Sequence, residues 1–255
     1  DYLLKNTFKV TSVFASKQKL NFLYRVLFSL KIFNKLVSSE YSMIISRSII
    51  PSIILAILKR KNILEIHSEM TGLTKFLFKL SKIEFIKKNL KFILLHKKLK
   101  KLIKISSENT CILEDAVENK DFLNRKLKTR LQTCAYSGSF AKGKGLETIY
   151  AIANKAPHIK FHLFGNIKTL DKELYLKKIP KNIKFKGFLS YKMISKVLPK
   201  YKILLMPYQK KVGVLIDQIN VASYFSPLKL FEYMATGRII IASDLNFYKK
   251  ILKNN

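Results

Sequence analysis

Ser226-Pro227-Leu228-Lys229-Leu230-Phe231-Glu232-Tyr233-Met234-Ala235-Thr236-Gly237 is the stretch that decides the fold of the second half of the chain. Ser226 is a preferred N-cap residue. Pro227 suits the first helical position, because the backbone N–H that proline lacks would have no partner within the helix there. Gly237 suits the position after the last helical turn, and the apolar run 238–242 follows it. The stretch therefore predicts a capped helix followed by a buried strand.

The charged residues of this helix depart from the usual capping pattern. Leu228, Phe231 and Ala235 fall on one face at helical spacing, which predicts that this face packs on the core. A capping box would place Glu or Gln at the third helical position, but Lys229 stands there, where a cation opposes the helix dipole unless an anion binds. Glu232 is near Lys229 and is expected off the core face. The pair predicts an anion site with a carboxylate beside it; an ordinary capped surface helix is the alternative.

The same stretch, with Ala242-Ser243-Asp244 after the strand, resembles the donor-site signature of family 4 glycosyltransferases, the glycosyl transferases group 1 of the GT-B fold. The resemblance implies an α/β protein of two Rossmann-like domains, whose parallel sheets face each other across a cleft. It implies that the helix N-terminus receives the diphosphate of a nucleotide sugar and that Glu232 bonds the ribose hydroxyls. The donor-binding residues that it implies in this helix are Ser226, Pro227, Leu228, Lys229 and Glu232.

The composition indicates a folded, strongly basic protein. The chain has 255 residues, 48% of them hydrophobic, and 49 Lys and Arg against 16 Asp and Glu give a net charge of +33. Such a charge favours polyanionic partners, namely nucleic acid, anionic lipid or a phosphorylated substrate. An AT-rich genome that enriches Lys, Ile, Asn and Phe is the competing explanation. Cys111 and Cys134 lack metal or redox spacing and are expected to be buried thiols.

The first half alternates strands and helices, which predicts parallel pairing with right-handed crossovers. Ligands of such sheets bind at the carboxyl ends of the strands, and His67 and Glu69 stand at one of these ends. The resemblance implies that His67 is the active-site histidine near the transferred sugar. The expected elements are strands 8–14, 41–46 and 62–67 and helices 20–36 and 48–58.

Residues 72–105 form the most basic region, with eleven lysines and a single acid, Glu84. Leu73, Phe76, Leu77 and Leu80 make one apolar stripe at helical spacing, and a second stripe follows. Basic amphipathic helices of this kind lie on anionic membranes, but two core helices with solvated lysine faces fit the pattern equally. The second stripe consists of Phe92, Leu95, Leu99 and Leu102.

The polar stretch 118–130 is expected to link two domains. We predict an N-terminal, acceptor-side Rossmann-like domain over 1–125 and a nucleotide-sugar-binding domain over 126–255. Against the resembled family, the chain lacks the first strand with its glycine-rich loop and the last strands with the returning helix. It is therefore expected to be a fragment at both ends.

A glycine-rich turn, 138–145, lies between a predicted strand and a predicted helix. Seven of the eight glycines follow residue 137, and such turns cradle phosphate with lysines as point charges. The turn is neither a P-loop nor a dinucleotide fingerprint. It resembles the family's Gly-Arg-x-x-x-x-Lys-Gly turn, which implies donor contacts at Gly138 and makes Lys144 the phosphate lysine. Ser139 replaces the family's arginine, and Lys142 is the candidate substitute, without the planar fork of arginine.

Two further segments complete the predicted donor site. The strand and loop 182–188 resemble those that hold the nucleotide base, largely through backbone, so Gly187 and Phe188 are expected to contact it. The segment 208–225 has no clear element and is expected to cover the donor. Tyr224 replaces the first glutamate of the family's Glu-x7-Glu motif, which leaves the sugar and the contacts to the transition state open.

The resemblance thus implies a metal-independent, retaining glycosyltransferase that uses no cofactor and takes a UDP- or GDP-linked sugar as substrate. The expected partners are this nucleotide sugar, a saccharide or lipid-linked acceptor, and an anionic membrane surface contacted through 72–105. Cytoplasmic and peripheral-membrane localisation and a role in cell-envelope polysaccharide biosynthesis are expected. The alternatives are a basic nucleic-acid-binding protein, for which no known motif is present, and a GT-B protein that binds nucleotide without transferring sugar.

Overall fold

The chain folds into two compact α/β units. The structure, a computed structural model, describes residues 22–38, 41–70, 72–106, 108–118, 122, 130–170, 178–210, 228–245, 248 and 251–252. The described residues up to Glu114 form the first unit, and those from Asp115 onward form the second. The predicted boundary between residues 125 and 126 lies outside the described residues and stays a prediction, and the strand predicted over 8–14 also lies outside them.

The first unit contains a four-stranded parallel sheet with the order β1-β2-β3-β4 among its described residues. The predicted alternation of strands and helices is confirmed there, with bounds shifted by a few residues. The strands are β1 (Ile45–Ser46), β2 (Asn62–Ile66), β3 (Leu90–Leu94) and β4 (Thr110–Ile112). The helices are α1 (Phe22–Ser38), α2 (Ile49–Ile57), α3 (Gly72–Leu80), α4 (Glu84–Lys87) and α5 (Lys97–Ile103).

The core of the first unit is built from β2, β3 and α2. Leu64, Leu90 and Leu94 are fully buried, and full burial of one such side chain stabilises the fold by about 1.5–3 kcal/mol. Six of the nine residues of α2 are buried, so this helix is apolar on most of its circumference. Pro51 lies in the first turn of α2, where its missing N–H disrupts no helical hydrogen bond.

The second unit contains a five-stranded parallel sheet with the order β7-β6-β5-β8-β9 among its described residues. Every strand of this sheet is parallel to its neighbours, so the carboxyl ends of all five lie at one edge. The strands are β5 (Arg130–Ser137), β6 (Lys160–Phe164), β7 (Ile183–Phe185), β8 (Tyr201–Met206) and β9 (Ile239–Ala242). The helices are α6 (Leu146–Lys155), α7 (Tyr191–Val197) and α8 (Leu228–Ala235).

The glycine-rich turn joins β5 to α6, and its last glycine is required by close packing. Gly145 adopts φ +82°, and a Cβ built on it would lie 1.7 Å from the backbone oxygen of Pro207. Glycine lets the turn approach the chain that leaves β8, because it has no Cβ and tolerates positive φ. The turn is therefore held against the carboxyl end of β8.

The second apolar stripe of the basic region was predicted wrongly as helical. Phe92 belongs to β3, a buried strand in which Leu90, Phe92 and Leu94 alternate with more exposed residues. Leu99 and Leu102 belong to the separate helix α5. The 3.6-residue spacing arose because a strand and the helix after it happened to continue one apolar pattern.

The buried face of α8 also differs from the prediction. Leu228 is 39% exposed, whereas Leu230 and Tyr233 are fully buried, so the core face is rotated from the predicted one. Glu232, expected off the core face, is only 3% exposed. The spacing of the apolar residues predicted the wrong face because it did not count Tyr233. The Tyr233 ring fills the core while its hydroxyl accepts a hydrogen bond from the backbone N–H of Ser137 at 2.8 Å.

Two further predictions from the sequence were wrong in part. The strand after α8 is not fully buried, because β9 is at the edge of the sheet among the described residues and Ile239 and Ile241 are about half exposed. Cys134 is buried as predicted, and burial raises the pKa of its thiol to about 11, but Cys111 is exposed in the edge strand β4. No helix among the described residues is long and apolar enough to cross a membrane.

Replacing Gly145 by alanine tests the close packing of the turn. Gly237 also has positive φ (+63°), but a Cβ there meets nothing within 4 Å, so Gly237→Ala is the matched control. The control should lose about 1–2 kcal/mol through backbone strain alone. Gly145→Ala should lose about 1–3 kcal/mol more because the added carbon clashes with Pro207. Urea unfolding measures both losses, and equal losses would contradict the predicted clash.

Candidate functional site

A buried ion pair lies at the carboxyl edge of the sheet of the second unit. Lys229 in the first turn of α8 donates from Nζ to a Glu232 carboxylate oxygen at 2.7 Å, with side chains only 17% and 4% exposed. The three-residue spacing places both on neighbouring positions of the helix surface. Lys229 also donates to the hydroxyl of Ser137, the last residue of β5, at 3.4 Å. The predicted proximity of Lys229 and Glu232 is confirmed.

Tyr233 ties α8 to the end of β5. Its hydroxyl accepts the backbone N–H of Ser137 at 2.8 Å, and burial raises its pKa well above the ordinary value. The hydroxyl therefore stays protonated and keeps a donor available. This contact fixes the strand end next to the first turn of α8, which holds Ser137 beside the Lys229 ammonium.

Lys144, on the glycine-rich turn, is a second cation near Lys229. Its Nζ lies 4.6 Å from the centre of the Tyr208 ring, a cation–π contact with a tyrosine that is 4% exposed. Burial, together with the nearby charge of Lys229, lowers the pKa of Lys144 to about 8. Two ammonium groups are thus held close enough to repel each other, which favours binding of an anion between or beside them.

Gln209 fastens the glycine-rich turn to the chain after β8. Its backbone N–H donates to the oxygen of Gly143 at 3.0 Å, and its side-chain amide donates to the Glu147 carboxylate at 3.2 Å. Together with the Gly145 contact to Pro207, these bonds set the position of Lys144. The lysine is therefore presented by a fixed turn.

A cavity of about 250 Å³ opens beside the ion pair. Its lining is mostly apolar or uncharged, with Lys229 as the charged residue among those that line it. Such a cavity suits a flat, weakly polar group joined to an anion. The lining residues are Ser137, Gly138, Ser139, Phe164, Gly165, Asn166, Thr169, Phe188, Leu189, Ile194 and Lys229.

The cavity brings together four of the predicted donor residues: Gly138, Ser139, Phe188 and Lys229. Phe188 is 76% exposed and so presents a ring to solvent at this position. Gly187 precedes it and accepts the backbone N–H of Gly165 at 2.9 Å.

Other predicted donor residues are placed outside the cavity lining. Lys142 is exposed on the glycine-rich turn, and Leu228 is exposed at the start of α8. Ser226 and Pro227 lie outside the described residues, so the N-cap remains a prediction. The segment 208–225, predicted to cover the donor, is described only as far as residue 210.

His67 lies in the first unit, directly after β2. Its Nδ1 is 2.7 Å from a guanidinium nitrogen of Arg47, and its Nε2 contacts the carboxylate of Glu65. The role implied for His67 near a transferred sugar stays a prediction.

The sequence pattern did not identify Ser137, Tyr208 and Tyr233 as members of the group around Lys229. Ser137 and Tyr233 are 96 positions apart, and no local pattern reports such a contact. Their position in the sheet is the signal that could have identified two of them, because Ser137 ends β5 and Tyr208 follows β8, and these parallel strands end at one edge of the sheet.

The prediction of metal independence is not tested by the residues present. Among the described residues, no group of three or more His, Cys, Asp or Glu side chains could hold a metal ion. The described residues at the carboxyl edge of the second sheet supply ammonium groups, a carboxylate, hydroxyls and glycine backbone, a set that can bind a polyanion with hydroxyl groups next to it.

Residues 132–255 match the family described as glycosyl transferases group 1. The match covers 124 of the 255 residues and includes β5, the glycine-rich turn and α8. It confirms the resemblance predicted from the sequence for this part of the chain. The sequence matches none of the curated proteins with which it was compared.

Solved structures of low sequence identity share the α/β fold of GT-B type. Anabaena Alr3699/HepE in complex with UDP and glucose is similar with a TM-score of 0.63 and 12% identity, over 93% of this chain and 68% of that one. A glycosyltransferase from Rickettsia africae ESF-5 is similar with a TM-score of 0.66 and 13% identity, over 94% of this chain and 67% of that one. WaaG, a glycosyltransferase involved in lipopolysaccharide biosynthesis, is similar with a TM-score of 0.53 and 12% identity, over 88% of this chain and 66% of that one. The chain spans about two thirds of the length of these structures.

A double-mutant cycle measures the buried ion pair. Lys229→Met alone leaves the Glu232 carboxylate buried beside an apolar side chain and should cost about 3–5 kcal/mol of unfolding free energy. Glu232→Gln added to it removes the stranded charge and should recover most of that loss. Chemical denaturation of the wild type, the two single variants and the double variant gives the coupling free energy between Lys229 and Glu232. Additive losses would contradict a direct interaction between the two side chains.

Proposed function

We propose that the chain transfers a sugar from a nucleotide-diphospho sugar, UDP- or GDP-linked, to a saccharide or lipid-linked acceptor. The second unit binds the donor and the first unit binds the acceptor. The reaction retains the anomeric configuration and uses neither metal nor cofactor. The observation that carries the proposal is the buried group of Lys144, Lys229 and Glu232 at the carboxyl edge of the second sheet.

The charges of this group favour a diphosphate. One carboxylate offsets one of the two lysines, so the group keeps a net positive charge in a largely buried place. The N-terminus of α8 adds partial positive charge, and no acidic residue stands in its first turn. A diphosphate supplies the negative charge that this arrangement lacks, and each bond to it is charge-assisted.

The neighbouring cavity fits the rest of the nucleotide. The base would lie along Phe188 and the backbone around Gly187, since bases stack on exposed aromatic rings. The ribose would lie near Glu232, whose carboxylate accepts hydrogen bonds from its hydroxyls. Because Lys229 donates to one Glu232 oxygen, a diphosphate at Lys229 would compete for the ammonium hydrogens and leave that oxygen for the ribose.

The chemistry that these residues serve is the departure of the nucleoside diphosphate. The bond between the sugar carbon and the diphosphate oxygen breaks, the acceptor oxygen bonds that carbon, and the proton of the acceptor hydroxyl passes to the departing diphosphate. Charge grows on the leaving oxygen, and Lys144, Lys229 and the amide groups of α8 stabilise it. The lysines are positioned before the reaction, so little reorganisation is needed as the charge develops.

An anionic membrane surface is the proposed partner of the basic region. In α3, Leu73 and Phe76 are 50% and 59% exposed, and Ile83 and Phe85, just beyond it, are 49% and 46% exposed. Lysines 75, 79 and 82 lie between them in the sequence. Exposed apolar side chains among lysines suit the boundary between lipid headgroups and acyl chains. This surface would keep the protein at the cytoplasmic face of a membrane during synthesis of an envelope polysaccharide.

Glu232→Ala tests the ribose contact. It should weaken binding of the matching nucleoside diphosphate by about 1.5–3 kcal/mol, because a charge-assisted hydrogen bond is lost. Isothermal titration calorimetry with the diphosphate and with its 2′,3′-dideoxy analogue separates this contact from general damage. The analogue should bind wild type and variant alike.

The control for this measurement is Glu84→Ala, which removes an acid whose side chain is 71% exposed in the first unit and should leave both affinities unchanged. If Glu232→Ala weakened binding of the diphosphate and of the dideoxy analogue equally, Glu232 would not contact the ribose.

The pH dependence of binding tests Lys144. In the free protein the pKa of Lys144 is lowered to about 8, and a bound diphosphate would raise it again. Affinity should therefore be level below pH 8 and weaken above it, by up to about tenfold per pH unit, as the protein has to take up a proton. Lys144→Met should flatten this profile and weaken diphosphate binding far more than nucleoside binding.

Lys155→Met, an exposed lysine at the other end of α6, is the matched control and should keep the wild-type profile. A wild-type affinity that does not change between pH 7 and 10 would exclude Lys144 as a phosphate ligand.

A further inference from the structure

Three side chains of the first unit meet at the carboxyl ends of β1 and β2. Arg47 follows β1, Glu65 lies near the end of β2 and His67 follows it. The two strands pair in parallel, with Ser46 opposite Leu64, so these ends lie side by side. A guanidinium nitrogen of Arg47 is 2.7 Å from Nδ1 of His67, and Nε2 of His67 contacts Glu65.

The Arg47 contact fixes which ring nitrogen of His67 accepts a hydrogen bond. A guanidinium is always charged and only donates hydrogen bonds, so Nδ1 must accept and carries no hydrogen. The neutral imidazole then carries its hydrogen on Nε2 and donates it to Glu65. With both ring nitrogens engaged, His67 holds Arg47 in place through Nδ1, and Glu65 holds His67.

This arrangement is unlike an ordinary surface ion pair. Such a pair would join Arg47 directly to Glu65, whereas here an imidazole stands between the two charges. One guanidinium nitrogen bonds an uncharged acceptor, and Arg47 remains exposed. A guanidinium has five N–H donors, and the contact with His67 engages one nitrogen of this exposed group, so its charge is available to an anion.

The start of α2 adds donors beside Arg47. The backbone N–H of Ser48, its N-cap residue, donates to the Ser46 hydroxyl at 3.0 Å, and that hydroxyl donates to the Ser48 oxygen at 2.9 Å. These bonds fix the turn that carries Arg47. The first amide groups of any helix lack partners within it, and a cation beside them is unfavourable unless an anion is bound.

We infer that Arg47, His67 and Glu65 form a site for a phosphate group in the first unit, in which Arg47 contacts the phosphate and His67 with Glu65 positions its guanidinium. A guanidinium held in a fixed orientation near a helix N-terminus matches the oxygens of a phosphate ester. The inference rests on the proposed function only in assigning this phosphate to the sugar acceptor. His67 is accordingly a positioning residue, and Arg47 is the residue that meets substrate.

Titration of the full chain with glycerol 3-phosphate in 0.15 M salt tests the site, since at that salt charges more than about 8 Å apart are largely screened. Nitrogen-detected NMR of the histidine ring gives both the tautomer and the affinity. The expected result is a hydrogen on Nε2 of His67 and ring signals that shift as the phosphate ester binds. The signals of His67 are identified by their loss in His67→Asn.

Arg47→Gln should weaken phosphate binding at least about tenfold, as loss of a charge-assisted contact does. The matched control is Lys61→Gln, which removes one exposed cation from the opposite end of β2 and should leave the affinity unchanged. His67→Asn keeps an acceptor near the place of Nδ1 and should retain most of the affinity, whereas His67→Phe should lose it. That rescue separates positioning of Arg47 from a general packing role.

A second arm replaces the soluble ester by sedimented vesicles of phosphatidylglycerol, whose headgroup presents the same chemistry. If the soluble ester binds and Arg47→Gln weakens this binding, the ligand is a free phosphate ester. If only the vesicles bind and Arg47→Gln weakens that binding, the ligand is a lipid headgroup. Either result supports the site. Equal losses in Arg47→Gln and Lys61→Gln, or His67 signals that neither probe moves, would overturn it. Binding of a nucleoside diphosphate to the second unit should be unchanged in Arg47→Gln, so failure of this site and failure of the proposed donor site are distinguishable.

Discussion

The interaction on which the candidate donor site depends is the buried ion pair between Lys229 and Glu232. Burial of two charges is costly, and the pair persists only because its geometry is close and its neighbours are fixed. Tyr233 holds the end of β5 against α8, and Gln209 and Pro207 hold the glycine-rich turn that carries Lys144. The result is a site with more positive than negative charge whose lysines are held by the fold, as electrostatic stabilisation of a leaving group requires.

The parallel sheets explain why chemistry-bearing residues of distant segments meet. In the second unit, Ser137 is the last residue of β5 and Tyr208 comes two residues after β8, so both lie at one edge although they are far apart in sequence. In the first unit, the same rule brings Arg47 and His67 together at the ends of β1 and β2. Both units thus place a cation next to a helix N-terminus at the carboxyl edge, which is the simplest arrangement for binding phosphate.

Much of the fold could be predicted from the sequence, because periodicity and capping are local. The helix of the quoted stretch, the strand after it and the proximity of Lys229 to Glu232 follow from spacing alone. The buried face of that helix could not be predicted, since tyrosine is apolar in its ring and polar at its hydroxyl and a partnered glutamate can be buried. The stripe of Phe92, Leu95, Leu99 and Leu102 indicates a helix only because Phe92 of the strand β3 continues the apolar pattern of α5 at helical spacing. Contacts such as Lys144 with Tyr208 depend on the order of strands in the sheet, which no local pattern encodes.

The most direct test of a nucleotide donor site is the thermal stability of the chain with UDP, GDP and ADP, each compared with its nucleoside. A ligand at 100 times its dissociation constant stabilises the folded state by about 2.7 kcal/mol, which gives a readable rise in melting temperature. We expect the melting temperature to rise with either UDP or GDP, and to rise much less with the corresponding nucleoside. A chain that unfolds cooperatively and whose melting temperature changes with none of the three diphosphates would contradict a nucleotide donor site.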